Sequence, residues 1–243
     1  MAREFQRGHK AKISDLTAGT DLYAGVQISG PGLTFDISCF GLDADERLSD
    51  DRYFVFFNQP KSPEESIQLL GAQAGDTESF RITLDRIPPQ IQKLSFTATI
   101  DGAGQMSQVA PGYLRIVAGG EEVARYAFNG SEFTTERAVM LGDFYLKDVW
   151  RFAAVGQGFD GGLEALLKKF GGGGMGAVSG ARQTRRARHV ALKILPPEQA
   201  LDPEVVQRVY QEGRAAARLD HENIARVYTI GHDATYHYIA FEY

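Results

Sequence analysis

Short apolar runs separated by clusters of Gly, Pro and Asp dominate the first two thirds of the chain. They lie at residues 22–28, 33–40, 53–57, 80–84, 94–100, 113–117, 123–128 and 149–154 and are rich in Val, Ile, Phe, Tyr and Thr, the composition of strands rather than helices. In RITL (81–84) and SFTATI (95–100) apolar residues alternate with Arg, Thr and Ser, the period of a strand with one wet face. Pro31-Gly32, Gly119-Gly120 and Asn129-Gly130 supply turn chemistry, because Gly tolerates positive φ and Asn often does. Residues 16–152 therefore read as an all-β domain of the sandwich type.

The texture changes after Gly162. A glycine run, GGGGMGAV (171–178), leads through a basic stretch to VALKIL (190–195), an apolar strand interrupted by Lys193. A lysine inside a buried strand requires an anionic partner. Glu212 supplies a candidate on a segment with helical signals, with Asp202 as N-cap, Pro203 in the first helical position and Glu204 at the positive end. Val205, Val206, Val209, Gly213 and Ala216 recur on one face of that helix, and Glu212 adjoins it. HENIARVYTIG (221–231) and YHYIAFEY (236–243) read as two strands joined by a polar turn. Gly213 inside the helix costs about 1 kcal/mol relative to Ala.

Composition sharpens this division. The 243 residues are 43% hydrophobic and 23% charged, as in ordinary globular proteins. The net charge of −5 combines an acidic front, 15 basic against 23 acidic residues over 1–165, with a mildly basic back, 11 against 8 over 166–243. An acidic front suits cations and repels nucleic acid and anionic lipid, whereas a basic back suits a phosphate-bearing ligand. The single cysteine, Cys39, excludes an internal disulfide, and the polar start MAREFQRGHKAK lacks the apolar core of a secretory signal. No apolar stretch is long enough to span a bilayer, so the expected address is the cytoplasm, with neither nucleic acid nor membrane as partner.

Three segments carry a family resemblance: FDISCFGLDADERLSDDRYFVFFNQ (35–59), VARYAF (123–128) and WRFAAVGQGFDGGL (150–163). Together they resemble the TerD and TerA stress-response family over residues 1–165. The resemblance implies a two-sheet sandwich that binds calcium through acidic loops and serves tellurite or general stress response as an interaction module. Calcium takes six to eight hard oxygen ligands, and Asp36, Asp43, Asp50 and Asp51 are the candidates, with Asp45, Asp76 and Glu78 in reserve. Where family members often show Asp-Leu-Asp this chain has Asp36-Ile37-Ser38, and the acidic loop before the next strand is reduced to GAQAGDTESF (71–80). The acids of 43–51 read equally well as a solvated charged loop. Cys39, between Ile37 and Phe40, reads as a buried core thiol, and Trp150 and Phe152 as core aromatics.

The ordered series of glycine run, strand lysine and helix glutamate is similar to the N-terminal lobe of bacterial, eukaryotic-like Ser/Thr protein kinases over residues 170–243. By that resemblance, Gly171, Gly173 and Gly176 cover the phosphates of ATP, Lys193 binds the α and β phosphates, and Glu212 holds Lys193. Val178 and Ala191 then sandwich the adenine, Phe241 guards the back of the pocket, and Glu242 with Tyr243 begins the hinge. Taken alone, the glycine run also reads as a flexible linker. The expected fold is mainly β: a sandwich over 1–165 and a partial α+β lobe over 166–243, with one helix corresponding to the kinase αC.

The sequence contains neither H-R-D-x-x-x-x-N nor D-F-G, so no catalytic residue is assigned, phosphoryl transfer by this chain alone is not expected, and ATP should be held weakly. LEALLKKF (163–170) is claimed twice, as the helical tail of the sandwich and as the first strand of the lobe. Its stripe of Leu163, Leu166, Leu167 and Phe170 favours helix, which leaves the lobe without a clean first strand. The leading functional expectation is the N-terminal part of a Ser/Thr kinase that carries a calcium- or stress-sensing TerD-like domain. The alternatives are a stress-response binding module with a vestigial kinase remnant, and an interaction piece whose incomplete lobe meets a protein partner.

Overall fold

The computed structural model describes residues 2–171, 178–183, 188–195, 200, 203–218, 225–233 and 236–242. Two compact units divide after Gly171, later than the change of texture after 162 suggests. The first contains β1 (Arg3–Phe5), β2 (Lys10–Lys12), β3 (Asp21–Gln27), β4 (Thr34–Leu42), β5 (Phe54–Val55), β6 (Ile67–Gly71), β7 (Glu78–Thr83), β8 (Lys93–Asp101), β9 (Gly112–Ala118), β10 (Glu121–Phe128), β11 (Ala138–Lys147), β12 (Val149–Phe159) and α1 (Gly162–Lys169).

These strands form two six-stranded sheets, ordered β1-β10-β9-β3-β7-β6 and β2-β12-β11-β8-β4-β5. All pairings are antiparallel except β1 with β10. The sheets enclose one core in which Leu22, Ala24 and Val26 of β3 lie opposite Ile37 and Cys39 of β4, Phe96 and Ala98 of β8, and Phe152 of β12. Alternating exposure along β9 follows the pleat. Burial along β11 is continuous through its first seven residues, because that strand is covered on both faces. The Gly119-Gly120 turn joins β9 to β10 with φ of 59° and 83°. Asn129 serves differently from the expected turn: its side chain accepts from Ser131 N–H and caps the 3-10 helix Gly130–Glu132.

Helix α1 covers the outer face of the second sheet, touching β8, β11 and β12. An isolated helix of eight residues is marginal in water, so docking is what sustains it. Leu166 and Phe170 are fully buried, each contributing roughly 1.5–3 kcal/mol, and the Phe170 ring lies 4.8 Å from that of Phe40. The Leu48 N–H donates to the Phe170 carbonyl at 2.7 Å, and Gly171 ends the helix with φ of 62°, a left-handed residue where a side chain would be strained. Residues 163–170 thus take the helical option.

The second unit holds β13 (Val178–Gln183), β14 (Arg188–Ile194), α2 (Pro203–Ala216), β15 (Val227–Asp233) and β16 (Tyr236–Glu242). Its antiparallel sheet runs β13-β14-β16-β15. α2 lies against this sheet through Gly213, where a β-carbon would meet Ile230 Cδ1 at 2.7 Å and Ile239 Cδ1 at 3.0 Å. The glycine that weakens the helix in isolation is the one that lets it approach the sheet.

Gly25 on β3 shows the same logic inside the sandwich, for a β-carbon there would fall 2.2 Å from Asp76 Oδ2. Asp76 cannot step aside, since it accepts from Tyr113 Oη at 2.9 Å, Ser79 Oγ at 2.9 Å and Arg115 Nη2 at 3.0 Å. Gly25→Ala is expected to destabilise the sandwich by about 2 kcal/mol, read as a lower urea midpoint with an unchanged m-value. An unaltered midpoint would show that Asp76 is freely displaced.

Candidate nucleotide-binding face and acidic positions

In the second unit, strand register gathers the positions expected to hold a nucleotide. Val178 pairs with Lys193, and Gly180 with Ala191, across β13 and β14. Ala191 and Lys193 in turn pair with Phe241 and Ile239 of β16. Directly opposed residues of an antiparallel pair lie on one side of the sheet, so Ala191, Lys193, Ile239 and Phe241 share a face. Ile239 is also what Gly213 of α2 approaches, so α2 packs on that same face. Lys193 is half-buried there, as expected of a cation with a long apolar stem.

Glu212 immediately precedes Gly213 on α2, while its side chain and the residues Gly173, Gly176, Asp202 and Tyr243 lie outside the described residues. Glu242 pairs with Val190, one step out of phase with Ala191, so its side chain is on the opposite face and accepts from Tyr228 Oη at 3.3 Å. Its N–H donates to the Arg226 carbonyl at 2.8 Å. Gly171 stands apart from this group, since it belongs to the first unit, with a β-carbon position 3.3 Å from Arg47 Cγ. Tyr210 of α2 makes a contact that the sequence did not signal, its Oη lying 3.2 Å from His237 Nδ1 of β16.

The four acidic positions expected to hold calcium do not converge. Among the described residues, no three His, Cys, Asp or Glu side chains form a group able to hold a metal ion. Asp43 Oδ1 accepts the backbone N–H groups of Asp45 and Arg47, both at 2.9 Å. Asp50 caps the 3-10 helix Asp51–Tyr53 through Arg52 N–H and binds the Arg52 guanidinium with both oxygens, which holds its carboxyl below the usual range. Asp51 opens that helix, and its carbonyl accepts from Gln59 Nε2 at 2.8 Å. Asp36 differs. It lies on β4 opposite Thr99, and burial together with the charge of Asp101 raises its pKa. On the same face, the buried Thr99 hydroxyl has no hydrogen-bond partner.

Two charge clusters went unrecognised in the sequence because their members are far apart along it. One centres on Asp76, where Arg115 Nε lies 2.8 Å from Oδ1 without the alignment of a hydrogen bond, and Arg115 reaches on to Glu122, which binds Arg125. The other lies on the outer face of the second sheet, near α1. There Asp143 accepts from Ser95 Oγ at 2.8 Å and meets Lys93 Nζ at 3.0 Å, and Lys93 also meets Glu46 at 2.8 Å. Burial pushes the Asp143 carboxyl up against the pull of Lys93. Burial alone would lower Lys93, but the carboxylates on either side more than offset it and raise its pKa. The two directions agree with Asp143 being nearly dry and Lys93 retaining a wet flank with a second carboxylate. Cys39 points into the core, and burial pushes its thiol well up, against any nucleophilic role.

Comparison with known proteins bears on both units. Residues 1–170 match the TerD domain and residues 165–243 the protein kinase domain. General stress protein 16U of Bacillus subtilis is 33% identical over 154 residues, covering 58% of this chain and 79% of that protein. Tellurium resistance protein TerD of Alcaligenes sp is 33% identical over 154 residues, covering 58% of this chain and 80% of that protein. Serine/threonine-protein kinase PrkC of Bacillus subtilis is 39% identical over 82 residues, which cover 34% of this chain and only 13% of that kinase. Among the described residues, no helix is long and apolar enough to cross a membrane.

Removing Lys93 would leave Asp143 charged and buried without its cation. Lys93→Met is expected to cost about 3 kcal/mol, and the double change Lys93→Met/Asp143→Leu to recover most of it. The Lys93 contribution is complete below the ordinary lysine pKa of 10.5 and is lost as pH rises through its raised folded value. The gap between wild type and Lys93→Met in urea titrations should therefore narrow on the alkaline side above about pH 10.5, and again in acid once Asp143 is protonated. A pH-independent gap would assign the cost to packing.

Proposed function

The chain belongs to the TerD domain family with the front of a protein kinase domain joined to it, and we propose that it is the N-terminal part of a Ser/Thr kinase whose sandwich senses or docks a stress signal. The observation that carries this reading is the sharing of one sheet face by Ala191, Lys193 and Phe241, with α2 packed on that face. In this reading Ala191 lies over the adenine with Val178, Phe241 closes the back of the pocket, and the Lys193 ammonium neutralises the α and β phosphates. Glu212 restrains Lys193, the glycine run covers the phosphates with backbone N–H groups at Gly173 and Gly176, joined by Gly171 only once its own N–H leaves the Lys168 carbonyl, and the Glu242 backbone starts the edge that reads the adenine. ATP supplies the phosphoryl group, and the lobe's part is to hold and orient it; the groups that would move it are not among these residues.

For the sandwich, calcium binding rests on the family resemblance, and the geometry supports it best at Asp36. A divalent cation there would offset the burial and the repulsion from Asp101 that together raise its carboxyl and would offer the Thr99 hydroxyl a partner. Asp43 Oδ1 and both carboxylate oxygens of Asp50 already accept from neighbouring donors.

A second reading is favoured by the extent of the first match. The chain covers four fifths of relatives named for general stress and tellurium resistance, so the sandwich would serve as a stress-response binding module in its own right. One variant separates the two readings. Lys193→Met is expected to weaken binding of a fluorescent ATP analogue to the whole chain at least about tenfold, the loss of roughly 1.4 kcal/mol from one phosphate contact. Unchanged affinity in that titration would remove the support for a nucleotide lobe. If cells expressing Lys193→Met keep full tellurite tolerance while nucleotide binding is lost, the sandwich works independently of the lobe.

A further inference from the structure

Residues 165–170 belong to two families at once, for the TerD match runs to residue 170 and the kinase match begins at residue 165. In the structure they are the body of α1, held to the sandwich by Leu166, Phe170 and the bond from Leu48 N–H to the Phe170 carbonyl. Their other claimant is the sheet of the second unit. Every residue of β13 pairs with β14 on one side, and β13 is the end strand of that sheet among the described residues. An end strand presents a row of backbone donors and acceptors that can pair with a further strand.

The lengths match. β13 has six residues, as does 165–170, and seven residues, 171–177, separate them in sequence, a connection longer than the two to five residues usual in a β-hairpin but shorter than the roughly 12–15 at which structureless loops become uncommon. The side-chain pattern also suits both states. Residues i and i+4 fall on one face of a helix, and also on one face of a strand. Leu166 and Phe170 can therefore stay together on the covered side whichever structure the segment adopts; Lys168 and Lys169 are exposed in the helix, and in the strand Lys168 would share the face of Leu166 and Phe170, its long stem carrying the ammonium to solvent at the rim.

We propose that residues 165–170 are a shared segment that exchanges between a helix docked on the sandwich and an edge strand added to β13, so that each unit is completed only at the other's expense. In the docked state the phosphate-loop glycine Gly171 is retained by the sandwich as a helix terminator, and β13 remains the end strand of its sheet among the described residues. Whatever loosens the face around Phe40 releases the segment to complete the lobe. The sandwich is then a brake on the nucleotide elements rather than a separate cargo domain. The proposal rests on the kinase-like reading of the second unit but requires no bound nucleotide.

Hydrogen–deuterium exchange of the whole nucleotide-free chain tests it, so that a failure here is distinct from a failure to bind ATP. Phe40→Ala removes the partner of Phe170 without altering the shared segment, and the β13 amides should then exchange about tenfold more slowly while those of β8 and β11 keep their protection. The double variant Lys168→Thr/Lys169→Thr changes only exposed side chains of the segment, lowers its helix preference and raises its strand preference, and should slow β13 in the same direction. Faster exchange at 163–170 with β13 unchanged in both variants would mean that α1 merely frays, and would overturn the proposal. No change anywhere in the double variant would overturn it equally.

Discussion

Phe170 lying against Phe40 keeps water from the outer face of the second sheet, and much else follows from that exclusion. A sheet whose outer face is wet can carry Ser, Thr, Lys and Asp at no cost. Here Ser38, Ser95, Thr97 and Asp143 are buried instead, so each must find its partner within the protein. Ser38 and Thr97 share a hydrogen bond at 2.9 Å, and Ser95 with Lys93 satisfies Asp143. The polar outer face and the helix above it are therefore one device: the helix dries the face, and the pairing of its polar groups is what lets it be dried.

This arrangement explains what was legible in the sequence. Alternating strands such as β9, and β8 with its Thr and Ser positions, announce themselves because one period describes them. β11 does not, since AVMLGDFYLK is apolar on both sides and reads as neither strand nor helix by period alone. β1, β2 and β6 also escape the reading: the first two are three residues each in a polar start, and β6 is five residues, Ile67–Gly71, too short for its adjacent Leu69 and Leu70 to show a period. α2 was the clearest element in the second unit, and Val205, Val206, Val209, Gly213 and Ala216 are all at least partly buried. The strand lysine stood out as a charge within an apolar run, whereas Val178, Ala191 and Phe241 came from the kinase resemblance. The pairing that puts Ala191, Lys193, Ile239 and Phe241 on one face joins β14 to the distant β16 and could not be read from spacing.

The acidic positions show where such reasoning stops. Asp43 and Asp50 sit in a charged stretch that looks ready for a cation, yet Asp43 Oδ1 and both oxygens of Asp50 are taken by backbone N–H groups and a guanidinium within four residues. Local turn chemistry competes with ligand chemistry for the same atoms, and sequence alone does not say which prevails. The large ionic clusters, Asp76 with Arg115 and Asp143 with Lys93, join residues 39 and 50 positions apart and could be seen only once register was known.

The first dozen residues hold a further consequence. β1 completes one sheet beside β10 and β2 completes the other beside β12, with the turn at Gln6 to His9 crossing between them. A single short ribbon thus seals a margin of both layers, like a clasp sewn to two pieces of cloth. Trimming the amino end would unfasten both margins together and bare two rows of backbone groups to neighbouring molecules, a route to self-association that shortening a surface loop would not open.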